Sequence, residues 1–355
     1  MSLSGSTLFA RLAMNPACEL QAAMGLDRQT RNEKQFYEQV TGAPFTGEYG
    51  ERDSARRRGA KFERNLLQPP GDARLLREAL APIMGMDAEA IAVRDLDNEA
   101  PGGAQASRVK RLTLTRGIFK DALLTGTLNT HVIVKPTIVL NTGLFPNDLH
   151  WRYIEPDFVF WDTSLGCYVP GDFKSFVVRD GIVPGDKLER VRLQLACDVV
   201  ALRDEMHALS AGLEERLPAT GYLVFATPYG LKPDTPRRED LRGAVPMILK
   251  AIEAFREHRA NIHAAAAGAP IVTTAPDLRL HYQEKCVATC ILSDYCRQRL
   301  ANDPRLLGDV AHELLGGGRD LPRLVELVHG AEPANAEEQR LQHDLRRAAG
   351  LRGRP

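Results

Sequence analysis

Asp157, Asp172 and Lys174 are the residues whose types and spacing best suit bond-breaking chemistry. They lie in Ile154-Glu155-Pro156-Asp157 and Gly171-Asp172-Phe173-Lys174. Phe158-Val159-Phe160-Trp161 runs apolar and aromatic after Pro156, and Cys167-Tyr168-Val169 leads into the second stretch, so both read as strands. Asp162-Thr163-Ser164-Leu165-Gly166 supplies turn residues between them, which predicts a hairpin. Adjacent antiparallel strands lie about 5 Å apart, close enough for Asp157 and Asp172 to grip one divalent ion. Lys174, two residues past Asp172, shares its strand face. Two carboxylates and an ammonium so placed are what metal-assisted phosphodiester hydrolysis needs: ligands for an ion and a charge to steady the phosphate. An acid-x-lysine triplet also fits the polar edge of an ordinary strand, so the surrounding elements carry the argument.

After the hairpin, Leu188, Val191, Leu195, Val199 and Leu202 recur at helical spacing, and Lys187, Arg190, Gln194 and Asp198 form a second, polar stripe. Thr220 to Ala226 reads as a buried strand, completing hairpin, helix, strand. Upstream, Gly59 to Leu67 reads as a short helix with Phe62, Leu66 and Leu67 on one side and Glu63 nearby. The plainer alternative for Glu63, Arg190 and Gln194 is a solvated helix face.

Together these segments resemble the PD-(D/E)XK nuclease superfamily, with Pro156-Asp157 as its first element and Asp172-Phe173-Lys174 as its second. In RecB-like members the helix after the second acidic strand carries a glutamine, usually followed four residues later by tyrosine. Gln194 takes the glutamine's place, and Asp198 stands where the tyrosine would. A histidine or glutamate four residues after a glycine reaches the metal in the opening helix of those nucleases, and Glu63 follows Gly59 at that distance. The resemblance implies an α/β, restriction-endonuclease-like core: a central mixed sheet flanked by helices. It also implies Mg2+ or Mn2+ held by Glu63, Asp157, Asp172 and the Phe173 backbone carbonyl. Lys174 and Gln194 complete the implied catalytic set, with Gln194 or Arg190 holding the neighbouring phosphate.

Six cysteines are present, and Cys286, Cys290 and Cys296 fall within one short span. Thiols this close bind metal or pair as disulfides, and nothing in the sequence suggests an oxidising compartment. Ser6-Thr7-Leu8 followed by Asn15-Pro16-Ala17-Cys18 resembles the opening of the iron-sulfur branch of RecB-like nucleases. That branch includes CRISPR-associated RecB-like exonucleases and the AddB nuclease domain. There, one early and three late cysteines hold a 4Fe-4S cluster that staples helical N- and C-terminal additions around the core. Cys18, Cys286, Cys290 and Cys296 map onto that quartet. Three residues separate Cys286 from Cys290 where the family has two, and Pro16 stands two before Cys18 instead of adjoining it. Four thiolates also suit tetrahedral Zn2+, which stands as the alternative to the favoured iron-sulfur cluster. Cys167 and Cys197 read as packing residues.

With 46 basic and 46 acidic residues the formal net charge is zero, so DNA binding would rest on local patches. Arg52, Arg56, Arg57 and Arg58 form one beside the Glu63 helix, and Arg346, Arg347, Arg352 and Arg354 form another in the tail; a solvated face is the plainer role for each. The organisation reads as an N-terminal helical segment (1–70), an insertion with β-structure (71–150), the nuclease core (151–245) and a C-terminal helical region with the late cysteines (246–355). Within these, Asp72 to Leu80 reads as a helix capped by Asp72 and ended by Pro82. Asp95 to Ser107 reads as a loop, Val245 to Ala267 as a long helix, and Gly268 to Pro276 as a linker. No run is long and apolar enough to span a bilayer and Met1 to Ala13 lacks a signal layout, so a cytoplasmic protein without membrane contact is expected. Implied partners are single- or double-stranded DNA and, since no helicase motif is present, a helicase or another repair or defence protein on a separate chain. Two other readings stay open: a catalytically inactive nucleic-acid-binding module with a structural iron-sulfur or zinc site, and a zinc-stapled interaction protein.

Overall fold

Asp162 turns the chain through its own side chain. Its Oδ1 accepts from the Ser164 N–H at 2.9 Å and the Leu165 N–H at 3.2 Å, and Gly166 adopts the left-handed conformation (φ 60°) that closes the hairpin. The joined strands pair antiparallel, with Phe160 opposite Val169. The computed structural model describes residues 5–27, 29–30, 32–46, 53–68, 72–101, 105–140, 152–176, 183, 185–227, 231–283, 285–302 and 321–352. Arg52, Arg354 and the Gly316-Gly317-Gly318 stretch lie outside them, as do the side chains of Arg56, Arg347 and Arg352.

The strands are β1 (Val93–Asp95), β2 (Val132–Val134), β3 (Ile138–Val139), β4 (Tyr153–Ile154), β5 (Phe158–Asp162), β6 (Cys167–Lys174), β7 (Thr220–Phe225) and β8 (Arg237–Asp240). Six form one mixed sheet in the order β1-β2-β5-β6-β7-β8, while β3 and β4 pair apart from it. The β1–β2 and β6–β7 pairs are parallel, and the other three in the sheet are antiparallel. Every residue of β7 and all but the last of β6 are buried, which is why Cys167-Tyr168-Val169 and Tyr222-Leu223-Val224-Phe225 read as continuous apolar runs and not as alternation. β1 and β2, from the stretch read as an insertion, belong to the same sheet as the acidic hairpin.

Helices of the same unit flank the sheet. The helices of the chain are α1 (Gly5–Met14), α2 (Glu19–Leu26), α3 (Glu33–Thr41), α4 (Asp53–Leu67), α5 (Arg74–Met84), α6 (Leu96–Glu99), α7 (Gln105–Lys120), α8 (Gly185–Leu209), α9 (Ala244–Ala266), α10 (Ile271–Thr274), α11 (Cys286–Thr289) and α12 (Ser293–Asn302), with Leu321–His329 and Ala336–Arg352 beyond. The chain divides into two units: Met1–Pro16 with Gly50–Glu257, and Ala17–Tyr49 with His258–Pro355.

In the first unit α8 supplies the crossover that the parallel β6–β7 pair requires, and packs on both strands. Val191, Leu195, Val199 and Leu202 are buried as expected. Because α1 also packs on α8, Leu193, Ala196, Cys197 and Val200 are buried as well. Below the acidic strands, the Phe158 and Phe173 rings stack at 4.8 Å, and Phe62 of α4 meets Phe173 edge-on at 6.4 Å. Gly171 lies directly under the Phe158 ring, where no side chain fits.

The second unit is helical among its described residues. Glu19, at the start of α2, is buried; its Oε2 accepts from the Arg279 N–H at 3.0 Å, its Oε1 from Asn261 Nδ2 at 3.2 Å, and its own N–H donates to the Arg279 carbonyl at 3.1 Å. The stretch expected as a linker, 268–276, instead holds α10 packed on α2 and α3, with Val272 and Ala275 buried.

Two further expectations differ. The helix expected over 72–80 runs from Arg74 to Met84 and encloses Pro82, and Asp72 pairs with Arg77 instead of capping. Leu76, Leu80 and Met84 form one buried stripe, and burying Met84 outweighs the hydrogen bond Pro82 cannot donate. Within 95–107, Asp95 caps the short α6, and α7 begins at Gln105. Among the described residues no helix is long and apolar enough to cross a membrane.

Candidate active site

Continuing the β5–β6 register one step past Phe158 and Gly171 sets Asp157 opposite Asp172. The two carboxyls are hydrogen-bonded to each other. Lys174, on the same face of β6, places Nζ 2.5 Å from Asp172 Oδ2. Phe173 points the other way into the aromatic stack, while its N–H donates to Asp157 Oδ2 at 2.9 Å. Phe62 anchors α4 on Phe173, which brings Glu63 to the acids. Gln194 of α8 donates to Thr7 Oγ1 at 3.3 Å.

Glu63, Asp157, Asp172, Phe173, Lys174 and Gln194 line one cavity of about 430 Å3. All six expected catalytic and metal positions thus meet in one place. Arg190 is half-buried one turn before Gln194 and is not among the lining residues. Arg57 and Arg58, with Lys61, line a second groove of about 580 Å3. Arg58 Nε donates to the carbonyl of Ser175, itself part of the acid cavity's wall, at 2.8 Å.

Two residues of the cluster were not singled out from sequence. Asp198, one turn after Gln194, lines the cavity; it is buried, and its Oδ1 finds no hydrogen-bond partner among the described residues. The i, i+4 step from Gln194 was the available signal. Lys135, just past β2, bridges Glu63 and Asp157, with Nζ 3.3 Å from Glu63 Oε2 and 2.5 Å from Asp157 Oδ1. Nothing local in the sequence marks that contact.

Four carboxyls therefore share the site with two ammonium groups. Burial pushes the Asp172 carboxyl up to about 8 against the pull of Lys174, with the Asp157 charge adding to the push. Burial acts on Asp157 too, but Lys135, the hydrogen bond from Asp172 and Lys174 hold it well below the usual carboxylate range. Burial, then the neighbouring Asp157 charge, raises Glu63 despite Lys135. Burial raises Asp198 strongly, with Asp172 and Asp157 adding to it. The cluster holds more carboxyls than ammonium groups, and burial favours the neutral form of Glu63, Asp172 and Asp198.

Comparisons with family models, curated proteins and solved structures found no match.

Among the described residues no three His, Cys, Asp or Glu side chains are yet arranged to hold a metal ion. At the acids, Lys135 stands between Glu63 and Asp157, and Lys174 pairs with Asp172. The donor chemistry nevertheless fits a hard divalent ion: several carboxylate oxygens and one buried oxygen without a partner.

The thiols are less ordered toward one another. Cys18, Cys286, Cys290 and Cys296 all belong to the second unit and are not joined in disulfides, with Cys286 the most exposed. Burial first, then the charges of Cys290, Cys18 and Cys286, raises Cys296; burial, with Cys286 adding, raises Cys18. The four are thus electrostatic neighbours, but the expected metal-thiolate cluster is not displayed among the described residues. Cys167 and Cys197 are buried in β6 and α8, as packing residues should be.

Proposed function

We propose that this chain is a divalent-metal-dependent deoxyribonuclease of the PD-(D/E)XK, RecB-like kind. The observation that carries the reading is the hydrogen-bonded Asp157–Asp172 pair with Lys174 on Asp172, set in a cavity that also gathers Glu63, Gln194 and Asp198. Asp157 and Asp172 would hold the Mg2+ or Mn2+ ion, with Asp198 supplying the oxygen that lacks a partner. When bound, the ion polarises a phosphate oxygen and acidifies a water. Lys174 steadies the charge that builds on the phosphate, and Gln194, braced by Thr7, holds the adjacent phosphate in register. Phe173 fixes Asp157 through its N–H, so that carboxylate needs no rearrangement when substrate arrives.

Arg57, Arg58 and Lys61 suit the sugar-phosphate backbone on its way to the cavity, and this local patch supplies the attraction that the neutral chain as a whole does not. The four clustered cysteines suit a structural 4Fe-4S cluster, or Zn2+ in its place, in the second unit.

The test is cleavage of end-labelled single-stranded DNA, double-stranded DNA and RNA with Mg2+ or Mn2+, wild type beside Lys174→Ala. Metal-dependent cleavage by the wild type alone is expected. Equal activity in the variant would remove Lys174 from the chemistry, and inactivity of the metal-loaded wild type on all three substrates would favour the nucleic-acid-binding module.

A further inference from the structure

Asp157 is held differently on its two sides. Toward Asp172 the strand register sets the two carboxyls opposite each other, and Lys174 pairs with Asp172 Oδ2 at 2.5 Å. Toward Glu63 the gap is filled by the Lys135 ammonium, 2.5 Å from Asp157 Oδ1 and 3.3 Å from Glu63 Oε2. A divalent ion can enter between two facing carboxyls without displacing a cation that bridges them. Replacing the ammonium would strand a half-buried lysine charge without its partners, which is strongly unfavourable.

The lysine is also fixed at its root. Its N–H donates to the Asp157 carbonyl at 2.9 Å, continuing the β2–β5 ladder beyond Val134. Its φ of 49° is left-handed, a conformation that a long side chain keeps only where the surroundings over-determine it, and such residues gather at functional sites.

We propose that Lys135 is a built-in cation occupying the place a second metal ion would take, so that the centre binds one divalent ion, on the Asp157–Asp172 side, with Glu63 as the counterion of Lys135 and not as a metal ligand. This rests on the metal-dependent reading above and specifies which half of the acid cluster takes the ion. Two-ion nucleases use a symmetric pair of charges on the attacking and leaving oxygens. Here the second charge is built into the protein and acts through Asp157 and Glu63, which makes Lys135 a positioning residue whose contribution does not depend on metal concentration.

Mn2+ titration, read by calorimetry and by electron paramagnetic resonance of the bound ion, tests it on the full chain. The wild type should bind one Mn2+, Lys135→Arg one, and Lys135→Met two, with the spectral broadening of a coupled pair. Glu63→Gln should bind one ion with affinity changed by less than the roughly tenfold that disturbing a metal's supporting shell already costs. Two ions in the wild type, one ion in a folded Lys135→Met, or a larger loss in Glu63→Gln would overturn the assignment. If Lys135→Met does not fold, the wild-type stoichiometry and Glu63→Gln still decide. A folded wild type that binds no Mn2+ would defeat the metal-dependent reading itself, whereas two bound ions would defeat only the role of Lys135.

Discussion

The acidic cavity and the thiol neighbourhood present two ways for a chain to prepare a reactive site. Asp157 stands just before β5 and Asp172 near the end of β6, and each is tied by a named partner: Asp157 by Phe173 N–H and Lys135, Asp172 by Lys174. Sheet formation alone therefore brings them together. The thiols lie at a helix start, in the four-residue α11, at its end and on α12, and the Gln283 N–H donates to Cys286 Sγ at 3.4 Å. Ladder bonds can preorganise a polar site before any ion arrives, whereas groups on short helices need the ion to draw them in.

The sharpest way to break that contrast is at the acids. Asp172→Ala or Lys174→Ala should lower metal-dependent cleavage by about a thousandfold, the ~4 kcal/mol scale of losing a preorganised electrostatic group. Thermal unfolding should change little, since a preformed fold does not need the reactive groups. Single-turnover kinetics beside calorimetry would separate the two. A large loss of stability would mean that the acids hold the strands together and not the reverse.

At the thiols the expectation inverts. Cys290→Ser or Cys296→Ser should reduce bound iron or zinc, measured by elemental analysis of anaerobically purified protein, and cost about 3 kcal/mol, near 10 °C in melting temperature. Cys197→Ser, buried in α8, serves as the control that keeps its metal content. Unchanged metal content and melting in Cys290→Ser would show that the neighbourhood is ordinary packing.

Gly171→Ala probes the coupling between core and chemistry in the acidic unit. A methyl there meets the Phe158 ring, itself locked between Phe160 and Phe173, so relief requires the strands to part at the very step that sets Asp157 opposite Asp172. Overpacking of this kind costs about 1–3 kcal/mol. Cleavage should fall together with stability, and a variant that melts normally yet still cleaves would uncouple the hairpin register from the site.

How much of this was legible in the sequence follows from the range of each interaction. Asp157, Asp172 and Lys174 could be placed because a strand's two-residue period and the Asp162–Gly166 turn are local, and α9 because its apolar spacing is long and uninterrupted. The succession of hairpin, helix and strand was legible for the same reason, whereas the mixed sheet flanked by helices was an expectation from the family resemblance. Lys135 was not, since its meeting with Glu63 depends on β2 joining β5 in the sheet, a contact between distant segments. Asp198 was visible on the α8 stripe and at the place of the family's tyrosine, but carried no role; its burial comes from packing that no single helix encodes. Pro82 and the 268–276 stretch misled because proline and glycine mark breaks locally, while burial of Met84 in one case and of Val272 in the other decides the outcome.

The smallest expected effect concerns what holds Cys18 before any metal arrives. Glu19 follows it directly and clasps the 279 segment through Arg279 N–H and Asn261 Nδ2, which sets Cys18 beside the stretch leading to Cys286. Glu19→Gln keeps the shape and one acceptor. Its Nε2 must then face Asn261, whose amide can turn to offer its oxygen instead, so the loss is that of one charge-assisted bond, about 1 kcal/mol, or some 2–4 °C. If the thiol neighbourhood is assembled by its metal, the variant should melt slightly lower without metal and regain most of the difference once loaded. A deficit that persists unchanged after loading would instead make Glu19 the organiser of this unit, and the thiols would then be preformed as the acids are.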